Sequence, residues 1–357
     1  MSEKVKPNKP EEVKPSESKD VKGSEPKEVK PHTSDVFIAR SVYPNAEAVF
    51  TTRYKNLESI KDSCVVVLDT NTLLVPYTVS KQSLDQIKTT YEALIKDNRL
   101  VIPAQVAREF AKLRARKIAE LFDQLSNKRN VSTSLKKEEY PLLETLDEYK
   151  TSLALEDEIN TQIKKYRDTL GEVLDRVRAW TWDDPVSELY GQLFATAVVR
   201  ESPIKEVETQ KELERRRLHK IPPGYKDAQK DDGGIGDLII WQTILDIGQT
   251  TKKSLVFVSH EEKADWWYRS SGEPLYPRYE LIDEFRRASN GETFHMVQLS
   301  KFLDLFGANQ KVIDEVKEKE GRIEEDIANI EISEQEAKII DAFLASKFLD
   351  RKCQRSC

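Results

Sequence analysis

Short apolar runs alternate with amphipathic segments through the middle of the chain. The run at 65–68 holds four apolar residues, three of them β-branched, and it predicts a fully buried strand of a parallel sheet. Further strands are predicted at 100–102, 254–258 and 294–299. Helical spacing predicts helices at 83–94, from 106 toward 125, at 237–247, at 281–288 and at 302–306. This alternation indicates an α/β fold with a mostly parallel central sheet.

A different pattern occupies residues 135–177. Apolar residues recur there every three or four positions, and the phase slips between Leu153 and Ile159. We expect one long broken helix or a helical hairpin, inserted into the α/β domain. Asp184 followed by Pro185 is typical of a helix start, and it predicts a helix that runs through Val199.

The two ends of the chain differ from its middle. Residues 1 to about 35 are mostly Lys, Glu, Pro and Ser, which predicts a disordered tail. The last fifty residues are charged and helical in pattern, with a capping box at Ser333 and Glu336, and they suit packing on the core or on a partner. The expected organisation is a tail at 1–38, an α/β domain at 39–308 with a helical insertion at about 120–216, and a helical C-terminal extension at 309–357.

Composition narrows the class of protein. None of the apolar runs among the 357 residues approaches the roughly 20 residues that span a bilayer, and the N-terminus lacks the apolar stretch of a signal peptide. Three cysteines, Cys64, Cys353 and Cys357, are too few and too scattered for a disulfide frame or a zinc site. We therefore expect a reducing, cytoplasmic location and no membrane partner. The net charge of -6 argues against a polycation that coats nucleic acid but leaves room for a local basic groove.

Four carboxylates stand at the ends of predicted core elements. Asp69 follows the first strand, and Glu109 lies in the first turns of the helix after the second strand. Asp237 opens a helix after a glycine-rich loop, and Glu261 follows the strand at 254–258. Because right-handed crossovers place the carboxyl ends of parallel strands at one edge, we expect these four side chains to converge. Such oxygen-only clusters need a cation and suit Mg²⁺ or Mn²⁺, which activate water for phosphodiester hydrolysis.

The sequence around these carboxylates resembles the motifs of PIN-domain nucleases. The four motifs lie at 67–74, 102–110, 231–241 and 258–267. The loop at 222–227 and the long helical insertion are similar to those of a bacterial PIN-like branch, and the resemblance spans about residues 60–306. It implies a three-layer α/β PIN-like domain and a metal-dependent endonuclease with RNA favoured over DNA as substrate.

The resemblance also implies roles for individual residues. Asp69, Glu109 and Asp237 would be catalytic ligands of one or two Mg²⁺ or Mn²⁺ ions, and Asn71 would orient Asp69 or the substrate. The fourth motif departs from the family pattern, because family members commonly carry Thr-x-Asp where this chain has Ser-His-Glu at 259–261. The fourth ligand is therefore Glu261 or its rival Asp265, with Ser259 in a supporting role.

Basic and aromatic side chains near the expected site suit a nucleic acid substrate. Those expected to hold phosphates are Lys226, Lys230, Lys263, Arg269 and Arg278. Trp266, Trp267 and Tyr268 offer a base-stacking surface, although we expect at least one of them in the core.

Other interpretations of the same sequence remain open. Asp69 and Asp237 would serve as helix or turn caps, and Glu109 and Glu261 as solvated surface residues, in a protein without this site. A catalytically weak PIN-like module would bind nucleic acid or a protein partner, or associate with itself, through its insertion or C-terminal helices. A phospho-aspartyl phosphatase is disfavoured because it needs an Asp-x-Asp pair, and position 71 is asparagine.

Overall fold

The structure of the protein is a computed structural model that describes residues 35–131, 134–135, 138–194, 198–226 and 233–322. The chain divides into two compact units, residues 1–38 and 39–357, and the described part of the first contains a 3₁₀ turn at Asp35–Phe37. Residues 1–34 of the predicted disordered tail, the capping box at Ser333 and Glu336, and Lys230 lie outside the described residues, whereas residues 35–38 of that tail form the 3₁₀ turn and the start of a helix. The domain boundaries expected from the sequence stay a prediction.

A five-stranded parallel sheet forms the centre of the second unit. Its strands are β1 (Val65–Leu68), β2 (Leu100–Pro103), β3 (Val199–Arg200), β4 (Leu255–Val258) and β7 (Phe294–Val297), in the order β3-β2-β1-β4-β7. A separate antiparallel hairpin consists of β5 (Trp267–Ser270) and β6 (Glu273–Pro277). Every residue of β1 and β4 is buried, as expected for inner strands covered on both faces. The predicted α/β fold with a parallel sheet is confirmed.

Helices account for most of the remaining described residues, and with the sheet they form a three-layer α/β fold. They are α1 (Ile38–Val42), α2 (Ala48–Thr51), α3 (Leu57–Ile60), α4 (Thr70–Leu74), α5 (Lys81–Lys96), α6 (Ala104–Val131), α7 (Asp147–Ala179), α8 (Pro185–Leu193), α9 (Glu206–His219), α10 (Ile235–Thr251), α11 (Tyr279–Ala288) and α12 (Leu299–Leu305). In the core, the Trp241 ring meets the rings of Trp266 and Phe294 edge-on, with centroids 6.0 and 5.1 Å apart. No helix in the described ranges combines the length and apolar character needed to cross a membrane.

The helical insertion is built on α6 and α7, which pack against each other in opposite directions. The Arg178 guanidinium of α7 lies over the Phe122 ring of α6 at 4.9 Å, and Arg129 near the end of α6 donates to the carbonyl of Arg167. α7 continues without a break across the phase slip that suggested one. The slip has no structural consequence because Leu155 and Ile159 are exposed there, and exposed residues need not keep the phase of the buried face.

Other predicted boundaries shift for identifiable reasons. Asp184 caps α8 as expected, accepting from the amides of Val186 and Ser187. The helix ends at Leu193 and does not reach Val199, because Val199 pairs with Ile102 as the first residue of β3. The β3 strand and the β5–β6 hairpin were not expected from the sequence.

A helix at 310–322 packs on the domain. Val312 and Val316 of this helix belong to the hydrophobic core of the domain. Glu315 accepts hydrogen bonds from the backbone amide and hydroxyl of Ser80, at the start of α5. Glu320 is buried and accepts from the amides of Leu299 and Ser300, at the start of α12. This part of the C-terminal region is therefore anchored to the domain by buried valines and by carboxylates that cap two helices.

Candidate active site at the carboxyl end of the sheet

The register between β1 and β4 brings Asp69 and Ser259 together. Leu68 lies opposite Val258 at the ends of these two strands, so the next residue of each emerges at the same edge. The Ser259 hydroxyl donates to Oδ2 of Asp69 at 2.5 Å. Oδ1 of Asp69 accepts from the Thr70 amide at 2.7 Å, which caps α4. The Asp69 carboxylate is thereby held at the edge of the two central strands.

Glu109 reaches the same edge from α6. This helix begins directly after β2, which pairs with β1, and α6 packs against α4. The Thr70 hydroxyl donates to Oε2 of Glu109 at 2.6 Å, and the Gln105 amide donates to Oε1 at 3.0 Å. Sequence reasoning missed both donors. Gln105 could have been identified from the sequence, because residues four apart on a helix share a face. For Thr70, the sequence offered only its position beside Asp69.

Asn71 and Glu261 belong to a hydrogen-bonded network around Ser259. The Asn71 side chain donates to the Ser259 hydroxyl at 3.3 Å and accepts from the His260 amide at 3.2 Å. The Glu261 amide also donates to the Ser259 hydroxyl, at 2.9 Å. The structure therefore places Asn71 one hydrogen bond away from Asp69, through Ser259. Asn71 holds the loop after β4 against the start of α4.

The carboxylate of Glu261 is engaged within its own loop. Its Oε1 accepts from the Lys263 amide at 2.8 Å, and its Oε2 lies 2.8 Å from the Lys263 ammonium. Lys263, which we expected to hold phosphate, is thus an ion-pair partner of a candidate ligand.

Asp265 is placed against the loop that precedes α10. Its side chain is fully buried, and Oδ2 accepts from the Gly224 amide at 2.9 Å. Gly224 has φ of +90°, and a Cβ there would lie 3.0 Å from the Gly234 carbonyl oxygen, so the close approach of these two loop segments requires glycine. Asp265 thus fixes the 222–224 segment beside the start of α10.

Asp237 lies in the first turn of α10, after the positive-φ residues Gly233 and Gly234. α10 ends at Thr251, shortly before β4 begins at Leu255, so the helix runs back along the sheet toward the start of that strand. Its first turn consequently belongs to the carboxyl edge of the sheet. α10 also packs against α6 and β2. Asp237 therefore lies at the same edge as Asp69 by topology.

The electrostatics of Asp69 reflect its carboxylate neighbours. Burial, together with the charges of Glu109 and Glu261, raises the pKa of Asp69 to about 7, against the lowering effect of the hydrogen bonds from Ser259 and Thr70. Two of the expected neighbours of Asp69 are thus close enough to influence its ionisation.

The donor set agrees in chemistry with Mg²⁺ or Mn²⁺, which prefer oxygen ligands. The hydrogen-bond donors described above for Asp69 and Glu109 are neutral amide and hydroxyl groups, so they orient these side chains without supplying a positive charge. Within the described ranges, no group of three or more His, Cys, Asp and Glu side chains is arranged to hold a metal ion. The four expected carboxylates share an edge of the sheet and do not form a closed ligand set.

The basic residues expected at the site have mixed positions. Lys226 is exposed. Arg269 donates to the carbonyls of Glu262 and Gly272 and so braces the β5–β6 hairpin. Arg278 donates to Glu280 at 2.7 Å, and its guanidinium lies over the Tyr268 ring at 4.3 Å.

The aromatic residues after β4 also divide between core and surface. Trp266 is a core residue, as we expected for at least one of the three. The Trp267 indole donates to the Glu261 carbonyl at 2.6 Å and so holds the loop after β4. Tyr268 is partly exposed and lies 5.2 Å, between ring centroids, from Tyr276 of the paired strand.

Comparison with known proteins agrees with this fold. The family model described as PIN like domain matches residues 65–281, more than half of the chain. The chain therefore belongs to the PIN-like domain family, which has a nuclease-type fold and whose members are usually nucleases. No curated protein and no solved structure matches the chain. The resemblance seen in the sequence is confirmed at the level of the family.

Proposed function

We propose that this protein is a metal-dependent nuclease that hydrolyses phosphodiester bonds, with RNA favoured over DNA. The observation that carries the proposal is the placement of Asp69 at the carboxyl edge of β1, where Glu109 and Glu261 both act on its ionisation. Neutral donors orient the carboxylates of Asp69 and Glu109 and leave their charge for a cation. A PIN-like fold is the setting in which such a site is expected to cut nucleic acid.

Asp69, Glu109 and Asp237 are the proposed ligands of one or two Mg²⁺ or Mn²⁺ ions, with Glu261 or Asp265 as the fourth. A bound divalent ion supplies Lewis acidity and lowers the pKa of a coordinated water, which makes it a nucleophile at neutral pH. The protein contributes orientation: Ser259 fixes one oxygen of Asp69, and Thr70 and Gln105 fix both oxygens of Glu109. Hydrolysis would leave a 5′-phosphate and a 3′-hydroxyl.

Substrate contacts are proposed for exposed groups near the same loops. Lys226 is exposed and follows the 222–224 segment, so it suits contact with a phosphate. Lys263 is bound to Glu261 and would be released for phosphate if Glu261 turned toward a metal ion. Tyr268 is partly exposed and suits stacking on a base.

Cleavage of end-labelled single-stranded RNA and DNA of one sequence tests the proposal. Wild-type protein should cut with Mn²⁺ or Mg²⁺, cut RNA faster, and stop when EDTA is added. Asp69→Asn should lower the rate by at least about 100-fold, since metal ligation contributes several kcal/mol to such reactions. The matched control is Asp62→Asn, an exposed residue that precedes β1 and so lies at the opposite end of that strand. Equal rates for wild type and Asp69→Asn would contradict the proposal.

The second candidate is a PIN-like module that binds nucleic acid or a protein without cutting. The pairing of Glu261 with Lys263 favours it, because a lysine there satisfies a carboxylate that a metal ion would otherwise need. The helical insertion provides surface for a partner. Under this alternative, the wild-type protein would retain the labelled RNA in a gel-shift assay while leaving it intact with either metal ion.

A further inference from the structure

One side of α7 carries an exposed apolar stripe. The exposed fraction of the residue is 53% for Leu155, 45% for Ile159, 40% for Tyr166 and 41% for Val173. Their spacings of four, seven and seven residues place them on one side of the helix, as in one strand of a coiled coil. The stripe extends over about 27 Å of helix. Exposed apolar side chains in such an array are typical of a surface that binds another helix.

This stripe runs beside the side of α7 that faces α6, because the buried residues Leu170 and Val177 follow Tyr166 and Val173 by four positions on the helix. The α6 side contains the buried residues Leu170, Leu174 and Val177. The connection between the two helices also contacts that side, because Asn160 bonds both backbone groups of Leu135. Beside these intrachain contacts, each of the four stripe residues is still at least 40% exposed to solvent.

Charge is distributed unevenly along α7. Residues 147–158 contain five acidic residues and one lysine, whereas residues 159–178 contain five basic and three acidic residues. A helix with one acidic and one basic half is complementary to a second copy of itself in the opposite direction. In the parallel direction, like charges would meet and the contact would be destabilised.

We infer that two copies of this chain associate through α7, with the two helices antiparallel about a twofold axis near position 161. In this register Leu155 of one copy packs against Tyr166 of the other, and Glu158 meets Lys165. Glu158 and Lys165 are both exposed, so both are available for this contact. A twofold contact of this kind uses the same patch on both copies. The inference goes beyond the proposed nuclease activity and does not rest on it.

The contact is expected to be weak. A coiled-coil heptad has two core positions. Along α7, one of them is occupied by Ile159, Tyr166 and Val173, and the other by Leu155, Gln162 and Thr169. Two of these six core residues, Gln162 and Thr169, are polar. A short seam of this kind resembles transient interfaces, and we expect dissociation constants on the order of 10 to 100 µM.

Sedimentation equilibrium over a range of protein concentrations tests the contact. The wild type should pass from monomer to dimer, and Leu155→Ser with Tyr166→Ser should weaken the dimer at least tenfold. The matched control is Val207→Ser with Leu218→Ser on α9, where the side chains are 62% and 67% exposed. Circular dichroism confirms that each variant is folded. A wild type that stays monomeric at several times the expected dissociation constant overturns the inference, as does a stripe variant that dimerises like the wild type.

Charge reversal tests the proposed register. Glu158→Lys alone and Lys165→Glu alone should each weaken the dimer, because each places like charges opposite one another. The two substitutions in the same chain should restore the dimer, because a lysine at 158 of each copy then faces a glutamate at 165 of the other. If the double variant dimerises more weakly than either single variant, the register is wrong.

Spin labels test the direction of the helices. In a Cys353→Ser, Cys357→Ser background, with Cys64 buried, one label is attached through Thr161→Cys or Glu172→Cys. Antiparallel helices should give a clearly smaller distance between labels at 161, near the axis, than at 172, where the axial separation is about 33 Å. Parallel helices would give similar distances at both positions, and that result overturns the proposed arrangement.

Discussion

Asp69 is a carboxylate whose ordinary ionisation is opposed by its surroundings. Burial, together with the charges of Glu109 and Glu261, raises its pKa to about 7. The folded protein therefore holds a proton on Asp69 at pH values where the unfolded chain, with a pKa of about 3.9, has released it. Ionising this site in the absence of a cation costs folding free energy, which is the expected property of a carboxylate placed to bind a metal ion.

The raised pKa predicts a pH-dependent stability that depends on Asp69. Between about pH 4 and pH 7 the folded state binds more protons than the unfolded state, so the free energy of unfolding falls as pH rises. Asp69→Asn removes this titration. In EDTA, the free energy of unfolding of the variant, relative to that of the wild type, should rise by roughly 1 to 3 kcal/mol between pH 4 and pH 8. This is less than the full pKa shift implies, because the Asp69 side chain keeps some solvent contact.

Urea unfolding at several pH values measures this difference. Asp62→Asn, which alters an exposed carboxylate before β1, should follow the pH dependence of the wild type. If Asp69→Asn also followed the wild-type curve, burial and the neighbouring carboxylates would not be raising the pKa of Asp69.

Side-chain partners at the site were only partly predictable from the sequence. Parallel pairing of two apolar runs places the residues that follow them at one edge, so the proximity of Asp69 and Ser259 follows from strand pattern alone. The pairing of Lys263 with Glu261 depends on the conformation of a loop, which apolar periodicity does not specify. The bond from Thr70 to Glu109 depends in addition on how α4 and α6 pack. The metal-ligand roles of Asp69, Glu109, Asp237, Glu261 and Asp265 stay predictions.

At the scale of elements, the sequence predicted those that bury a continuous apolar face. β1 and β4 are entirely buried, and their apolar runs identify them. β3 has two residues and depends on pairing with β2, from which it is separated by α6, α7 and α8. The β5–β6 hairpin is mostly exposed, so its residues carry a weak apolar pattern. Elements defined by distant pairing or by exposed strands lack a local signal.

The helix at 310–322 shows how charged residues can anchor an element. Two of its three glutamates, Glu315 and Glu320, accept hydrogen bonds at the starts of α5 and α12, where backbone amides lack helical partners. The negative charge of each carboxylate also interacts favourably with the helix dipole. A high content of charged residues at this end of the chain is therefore compatible with packing against the domain.

Glu320→Ala should destabilise the protein by about 1 to 3 kcal/mol, because the amides of Leu299 and Ser300 lose their acceptor in a buried position. Glu318→Ala is the matched control, since the Glu318 side chain is 56% exposed and pairs with Arg322 on the same helix. Midpoints of urea unfolding compare the two variants. Equal midpoints would show that the buried carboxylate does not anchor the helix.

At the scale of the whole chain, separate elements carry the proposed site and the proposed dimer contact. Asp69, Glu109, Asp237 and Glu261 come from four parts of the sequence, and the parallel sheet brings their elements to one edge. The exposed stripe belongs to α7, within the insertion between the second and third motifs. Substitutions in one of these regions should therefore leave the other function unchanged, as expected for sites that share no side chains.

The central claim is that Asp69 and Glu109 bind a divalent metal ion at this edge of the sheet. Titration with Mn²⁺, followed by the electron paramagnetic resonance signal of the free ion, tests it without a substrate. The wild type should bind one or two ions. Asp69→Asn and Glu109→Gln should each weaken binding at least about tenfold, and Asp62→Asn should bind like the wild type. Wild-type affinity in folded Asp69→Asn and Glu109→Gln proteins would contradict the account.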